Sequence, residues 1–385
     1  MHFDLTPEQQ ALRHAAREFM RRECPPEVTR QAIAEGRHSD TLWRRMAELG
    51  WLGVAIDERY GGSGGDILDM AILMEELSRG EPAIGPYFNT VCFGGKSIGF
   101  FGNGAQKEFF LPRITRGDCV FALSITEPGG GTDVLGAMQT RAERNGDGWV
   151  LNGAKMFTSA AQRADYLLVV ARTERRVAKP AQGITLFIVP KGSPGVTIRK
   201  IDTIVPIGDT NAVFYDSVRL PADAVLGEEG RGFYQLLATL NNERILGGAA
   251  ALGCGVAAYE AALAYARQRT AFGKIIGQLQ AIQHYLADMA TELDAARLMV
   301  HRAAWLQSQG RDCGAEATMA KMYAADVAVR ACDRAIQIHG GMGLTNEVEV
   351  SRYWRLARLW QIGPITNEQC RNIIAQLRCE LPRSY

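Results

Sequence analysis

The period of the apolar pattern changes twice along this chain, and nothing else in the sequence limits the fold as much. Up to about residue 120 apolar side chains recur at helical spacing, with breaks at GGSGGD (61–66) and GEPAIGP (80–86). From about 121 to 228 the texture becomes short β-branched and aromatic runs divided by turns. WVLNGAKMFTS follows the turn NGDG (145–148), and DYLLVVART, GITLFIVP, GVTIRKI and NAVFYDSVRL come after it. From about 229 long helical stripes return. Leu279, Ile282, Leu286, Met289, Leu293, Ala296, Val300 and Ala303 step by three and four, and Met322, Ala325, Val329, Cys332 and Ile336 repeat the step. Such stripes are core, and they predict near-antiparallel helices in a bundle. The expected architecture is α+β: an N-terminal α-helical domain over 1–120, a small antiparallel, barrel-like β domain over 121–228, and a C-terminal four-helix bundle over 229–385.

Composition matters where it excludes. A net charge of +1 gives no general attraction to nucleic acid or to a membrane surface. The eight cysteines contain no CxxC pair, which reads as reduced thiols in a cytoplasmic protein. The start, MHFDLTPEQQALRHAAREFM, predicts an amphipathic helix with Thr6 as N-cap and Pro7 in its first turn, without the continuous apolar stretch of a signal peptide. The longest apolar run, Ile245 to Tyr259, is too short to span a bilayer. It is rich in Gly and Ala, so it reads as a core helix that its neighbours approach closely. Glu243 and Arg244 are expected at the entrance of that helix.

Three further segments have chemical potential. TEPGGGTD (126–133) offers backbone N–H groups and two hydroxyls to an anion or carbonyl, or is simply a tight β connection. RTAFG (269–273) puts Arg269 at a helix end, where it clamps a phosphate or is merely solvated. QIHGGMG (337–343) ends the next long helix with a double Gly that admits a close approach, or that is a plain C-cap. There is no Walker A motif, and no GxGxxG follows a strand and opens a helix.

In this order and at these separations, TEPGGGTD, NGAKMFTS, RTAFGKIIGQLQ and QIHGGMG resemble the acyl-CoA dehydrogenase family, over nearly the whole chain. The resemblance implies FAD held between the β domain and the C-terminal helices, with a neighbouring subunit completing the site. TEPGGGTD matches a strand segment that lines the flavin, which implicates Leu123, Thr126 and Thr132. Phe157 stands where relatives place an aromatic against the ring, and Ser159 matches a hydroxyl residue at the flavin N5 edge. Arg269, Phe272 and Gln280 match pyrophosphate- and adenine-side contacts. Gln337, Gly340 and Gly341 match the segment reaching in from the partner, and Thr366 and Glu368 fall where relatives touch FAD. A homotetramer and an electron-transfer flavoprotein as acceptor are further implications, with no metal.

The family reaction removes the acyl α-proton with a carboxylate while a β-hydride leaves to the flavin. Most relatives carry that carboxylate in a C-terminal loop resembling YEGT. Here Pro364 occupies the Glu position and Gly363 that of its bulky neighbour. A minority of the family carries the base on the adjacent helix, immediately before an Arg, and Glu243 followed by Arg244 matches that place. Glu243 is therefore the expected base, with Asn241, Arg244 and Gly363 in the substrate pocket. The competing readings are a helix-entry ion pair at Glu243–Arg244, Glu368 as the base, or a base-deficient subunit that completes a partner's site. A flavoprotein of the same fold with other chemistry would need an oxygen-handling pocket or a different proton acceptor, and neither has a signature here. The small residue at 363 predicts a branched, cyclic or otherwise bulky acyl-CoA.

Overall fold

Helix α1 (Pro7–Glu23) opens as its sequence dictates: the Thr6 hydroxyl accepts from the Gln9 N–H, and the Gln9 side chain accepts in return from the Thr6 N–H. The computed structural model describes residues 4–37, 39–205, 207 and 209–383, and of residues 90 and 91 only the backbone. Helices α2 (Pro26–Glu35), α3 (Asp40–Glu48), α4 (Ile67–Gly80), α5 (Ile84–Phe101) and α6 (Gly104–Thr115) complete the N-terminal part. Asp66 and Asn103 close the same reciprocal cap on α4 and α6.

The middle part is one sheet of β1 (Phe121–Ser124), β2 (Arg141–Asn145), β3 (Gly148–Ser159), β4 (Tyr166–Arg172), β5 (Ile184–Pro190), β6 (Val196–Lys200), β7 (Thr210–Leu220) and β8 (Val225–Leu226). Its order is β6-β7-β3-β2-β4-β5-β8, with β1 beside β4. The pairings are antiparallel except that β1 runs parallel to β4, and β2 touches β4 in parallel at one residue pair. The sheet is thus mixed rather than wholly antiparallel. The reason is connectivity: β1 enters directly from α6 and meets β4 through a long intervening excursion, not a hairpin. Among the described residues β6 and β8 end the path, so the sheet is open.

The C-terminal part is built on α7 (Gly232–Gln268), followed by a hairpin of β9 (Thr270–Ala271) and β10 (Lys274–Ile275), then α8 (Gln280–Ser308), α9 (Gly314–His339), α10 (Val350–Ile362) and α11 (Asn367–Arg378). By length and composition α7 qualifies as a membrane span, yet 83% of its most apolar window is buried inside the protein. Its glycines mark where other backbones press in. A Cβ on Gly253 would lie 2.3 Å from the Glu75 carbonyl oxygen of α4, and one on Gly255 would lie 3.1 Å from Ala328 Cα of α9. Gly248 faces Lys321 and Val300, Gly255 faces Ala328 and Leu293, and Tyr265 stacks on His339 at 4.3 Å. This register makes α7 and α9 parallel, with α8 antiparallel to both. Helix α7 begins well before the Gly/Ala run, so Glu243 lies about three turns inside it, not at its mouth. The first turns, GFYQLLATLNN, mix polar and apolar residues and hide the true start.

Candidate active site

The turn after β1 is tied to β3 by a buried brace. Lys155, fully buried on β3, donates to the Ile125 carbonyl at 2.8 Å and to Glu127 at 2.9 Å, and Glu127 accepts from the backbone N–H groups of Gln139 and Thr140. Burial pulls the Lys155 ammonium down to about 8, against the attraction of Glu127. The Met156 N–H also bonds the Thr126 carbonyl at 2.7 Å. Together these bonds bring Thr126 beside Phe157 and keep Leu123 and Ser159 on neighbouring strands. TEPGGGTD is itself a turn, not a strand: β1 stops at Ser124, because three consecutive glycines after a proline favour a turn. Thr132 lies exposed at its far side. Phe157 has a positive φ of 57° and is 60% exposed. An aromatic ring held in a left-handed backbone conformation and left open to its surroundings is a site waiting for flat apolar cover.

Glu243 projects from the middle of α7. Among the described residues its carboxylate takes no hydrogen bond and forms no ion pair, and burial pushes its pKa up to about 7, with Arg244 only partly opposing. The side chain is nonetheless half-buried rather than sealed, as expected for a group at the bottom of a cleft. Arg244 does not pair with it. The Arg244 guanidinium donates to Asn241 Oδ1 at 3.1 Å. The helix-entry ion pair is thereby excluded. One turn further along the same face, a Cβ on Gly247 would lie 3.2 Å from Pro364 Cδ. The loop position that holds no carboxylate and the helix position that does hold one therefore converge on one wall.

That loop is gripped from the other side by α9. Lys321, fully buried, donates to the Ile365 carbonyl and, at 2.9 Å, to Asn367 Oδ1. Asp326 Oδ1 accepts from Gln361 at 2.7 Å and from Asn367 at 2.8 Å. Burial lowers the Lys321 pKa to about 8. The clamp fixes the turn that presents Gly363, Thr366 and Glu368. Thr366 is the N-cap of α11 and Glu368 is exposed in its first turn. Neither Lys155 nor Lys321 stood out in the sequence. Each sits among inward-facing positions, and a single buried lysine in an apolar stripe looks there like a surface residue.

The remaining predicted contacts lie elsewhere. Arg269 caps the C-terminus of α7, and Phe272 and Gly273, both with positive φ, form the two-residue tip of the β9–β10 hairpin. Phe272 is 93% exposed. Gln280 opens α8, and Gln337, Gly340 and Gly341 close α9 on the same end of the bundle, joined to α7 by the Tyr265–His339 stack. Arg269 is about 39 Å from Glu243 along the α7 axis at 1.5 Å per residue. The predicted cofactor residues thus fall on two sets of elements: β1, the turn after it, β3 and the start of α11 carry one, and the C-terminal ends of α7 and α9, the β9–β10 hairpin and the start of α8 carry the other. A Cβ would meet nothing within 4 Å at Gly340 or Gly341 in the distal group, nor at Gly129 or Gly131 in the proximal one.

Three family domains match this sequence: the acyl-CoA dehydrogenase N-terminal domain over residues 6–118, the middle domain over 122–218 and the C-terminal domain over 230–377. The chain belongs to the acyl-CoA dehydrogenase family. A probable acyl-CoA dehydrogenase of Bacillus subtilis is 39% identical over 380 residues, covering 98% of this chain and 99% of the relative. The structure of butyryl-CoA dehydrogenase from Megasphaera elsdenii superimposes with a TM-score of 0.93 at 36% identity, over 97% of this chain and 99% of the other. A glutaryl-CoA dehydrogenase from Mycobacterium smegmatis in complex with FADH2 does so with a TM-score of 0.92 at 26% identity, over 99% and 97%. As a member of the acyl-CoA dehydrogenase family the protein has that fold, helical then β then helical, and is a flavoprotein-type oxidoreductase acting on the CH–CH bond of acyl-CoA.

Proposed function

We propose that the protein is an FAD-dependent dehydrogenase that converts an acyl-CoA thioester into its trans-2-enoyl-CoA, with Glu243 as the base. The observation that carries this reading is the unpartnered Glu243 carboxylate, raised to about 7, one helical turn from the contact between Gly247 and Pro364. A base poised near neutrality matches the task of taking a carbon-bound proton at neutral pH.

Bound FAD supplies the acceptor for the hydride that leaves the β-carbon. The chain's own residues do the rest. Glu243 takes the α-proton, so the α C–H pair becomes the new C=C bond as the β C–H pair leaves. Thioester binding expels water from the cleft and keeps the carboxylate a strong enough base. Arg244, oriented by Asn241, forms the pocket wall, and Phe157 and Ser159 would hold the flavin. Thr126, Thr132, Leu123, Thr366 and Glu368 complete the proximal cradle. Arg269, Phe272, Gln280, Gln337, Gly340 and Gly341 all belong to a second subunit's cofactor. This assigns the hairpin, and not only the α9 terminus, to the partner's site. A homotetramer, an electron-transfer flavoprotein as acceptor and a cytoplasmic location complete the proposal. The small residue at 363 supports a branched or bulky acyl group.

A second reading, a base-deficient subunit of a heteromer, is favoured by the absence of a carboxylate at Gly363–Pro364. Purifying the chain alone separates the two. The enzyme is yellow with flavin, bleaches anaerobically on adding acyl-CoA thioesters and releases an enoyl-CoA. Flavin that binds only after co-expression with another chain supports the subunit.

A further inference from the structure

We propose that the indole of Trp360 is the floor of the acyl pocket, which restricts the protein to short, wide acyl groups of no more than roughly six carbons, a depth set by the helical rise. The inference rests on Glu243 being the base and names the substrate class of that site.

The face of α7 that carries Glu243 continues through Gly247 and Ala250. A Cβ on Gly247 would lie 3.5 Å from Trp360 Cζ3, besides its contact with Pro364. On the opposite wall, in the first turn of α5, a Cβ on Gly85 would lie 3.3 Å from Trp360 Cζ2 and 3.0 Å from Ala250 Cβ. The six-membered ring therefore bridges α5 and α7 through two positions that lack side chains. It is only 3% exposed, so nothing passes it. An acyl tail that enters past Glu243 and follows this face meets the edge of that ring.

The depth follows from helix geometry. The Glu243 side chain leans toward the helix N-terminus, so one to one and a half turns separate its carboxylate from the ring, about 6–8 Å at 1.5 Å per residue. That length holds roughly four to six carbons. The width follows from Gly363, where a Cβ would find only the Leu359 carbonyl at 3.8 Å and Leu359 Cδ1 at 4.0 Å. The two glycines thus act differently. The space vacated at Gly247 is filled by Pro364 and Trp360, whereas the space at Gly363 stays open. Depth is closed and breadth is kept, which suits a branched acyl chain of four or five carbons.

The test is a kcat/KM panel of isobutyryl-, isovaleryl-, butyryl-, octanoyl- and palmitoyl-CoA on the flavin-loaded enzyme. The branched short thioesters should exceed octanoyl-CoA by about 100-fold, the discrimination a closed apolar pocket reaches. Trp360→Leu should raise the octanoyl-to-isobutyryl ratio at least ~10-fold. Trp360→Phe keeps an aromatic ring but loses the second fused ring and an N–H that has no acceptor among the described residues, so it should shift the ratio by less than the Leu variant does. Shrinking a core Trp destabilises the fold. Should the Leu variant fail to fold, the wild-type panel alone decides. A wild type that prefers octanoyl- or palmitoyl-CoA overturns the proposal, as does a folded Leu variant with an unchanged ratio. A yellow protein that no thioester bleaches overturns instead the reading of Glu243 on which the proposal rests.

Discussion

Glu75 on α4 and Glu243 on α7 are carboxylates in the interior of neighbouring helices, and their surroundings drive them in opposite directions. Burial works to raise both. At Glu75 the His301 ring, 3.5 Å away, and the Arg297 guanidinium, 2.8 Å away, win, and the carboxyl is held down at about 2. At Glu243 the neighbouring cation, Arg244, donates to Asn241 instead, burial wins, and the carboxyl rises to about 7. The first arrangement ties α4 to α8. The second ties nothing and costs stability, which fits the base proposed for Glu243. The lesson is that a partner, rather than depth, separates a structural carboxylate from a chemical one.

The largest test of that contrast is Glu243→Gln. It should keep bound flavin and slow anaerobic bleaching by an acyl-CoA by about 10³–10⁴-fold, the size of a deleted general base. Normal bleaching would move the role to Glu368 or another group. Glu75→Gln should do the reverse. It leaves the Arg297 charge without its buried partner and should cost about 3–5 kcal/mol in denaturant unfolding, with little change in the bleaching rate of the folded fraction. The Glu75 contribution is present above its unfolded value of 4.5 and is lost as pH falls toward 2. The smallest effect is the converse linkage at Glu243. A folded value near 7 against 4.5 unfolded means that ionisation opposes folding once pH exceeds 4.5, fully so above 7. Glu243→Gln should therefore melt a few degrees higher than wild type in mildly alkaline buffer and no higher in acid. A variant that melts lower in alkaline buffer would show that the carboxylate has a partner.

Much of this was readable in the residues. The double change of period marked the three parts, and the alternating runs marked β3 to β7, because inward positions there are β-branched or aromatic. β1 and β2 were hidden, the first being only four residues long and the second, RAERN, being mostly exposed. The close approach of helices to the Gly/Ala run followed from its composition, but the start of α7 did not, since no side chain caps it. The candidacy of Glu243 as the base rested on resemblance alone. Its isolation from Arg244 was not, because the direction of an arginine depends on what α9 and α11 place around it. The separation of the cofactor residues into two groups needed the parallel register of α7 and α9, which no local pattern encodes.

The most direct measurement is the pH dependence of kcat/KM for anaerobic flavin reduction in the wild type, which reports the ionisation of the free enzyme's base. The account predicts a rate that climbs tenfold per pH unit and levels off near 7, the value at which the Glu243 carboxyl ionises. A rate already level above pH 5, as an exposed carboxylate with an ordinary pKa of about 4.3 would give, contradicts it.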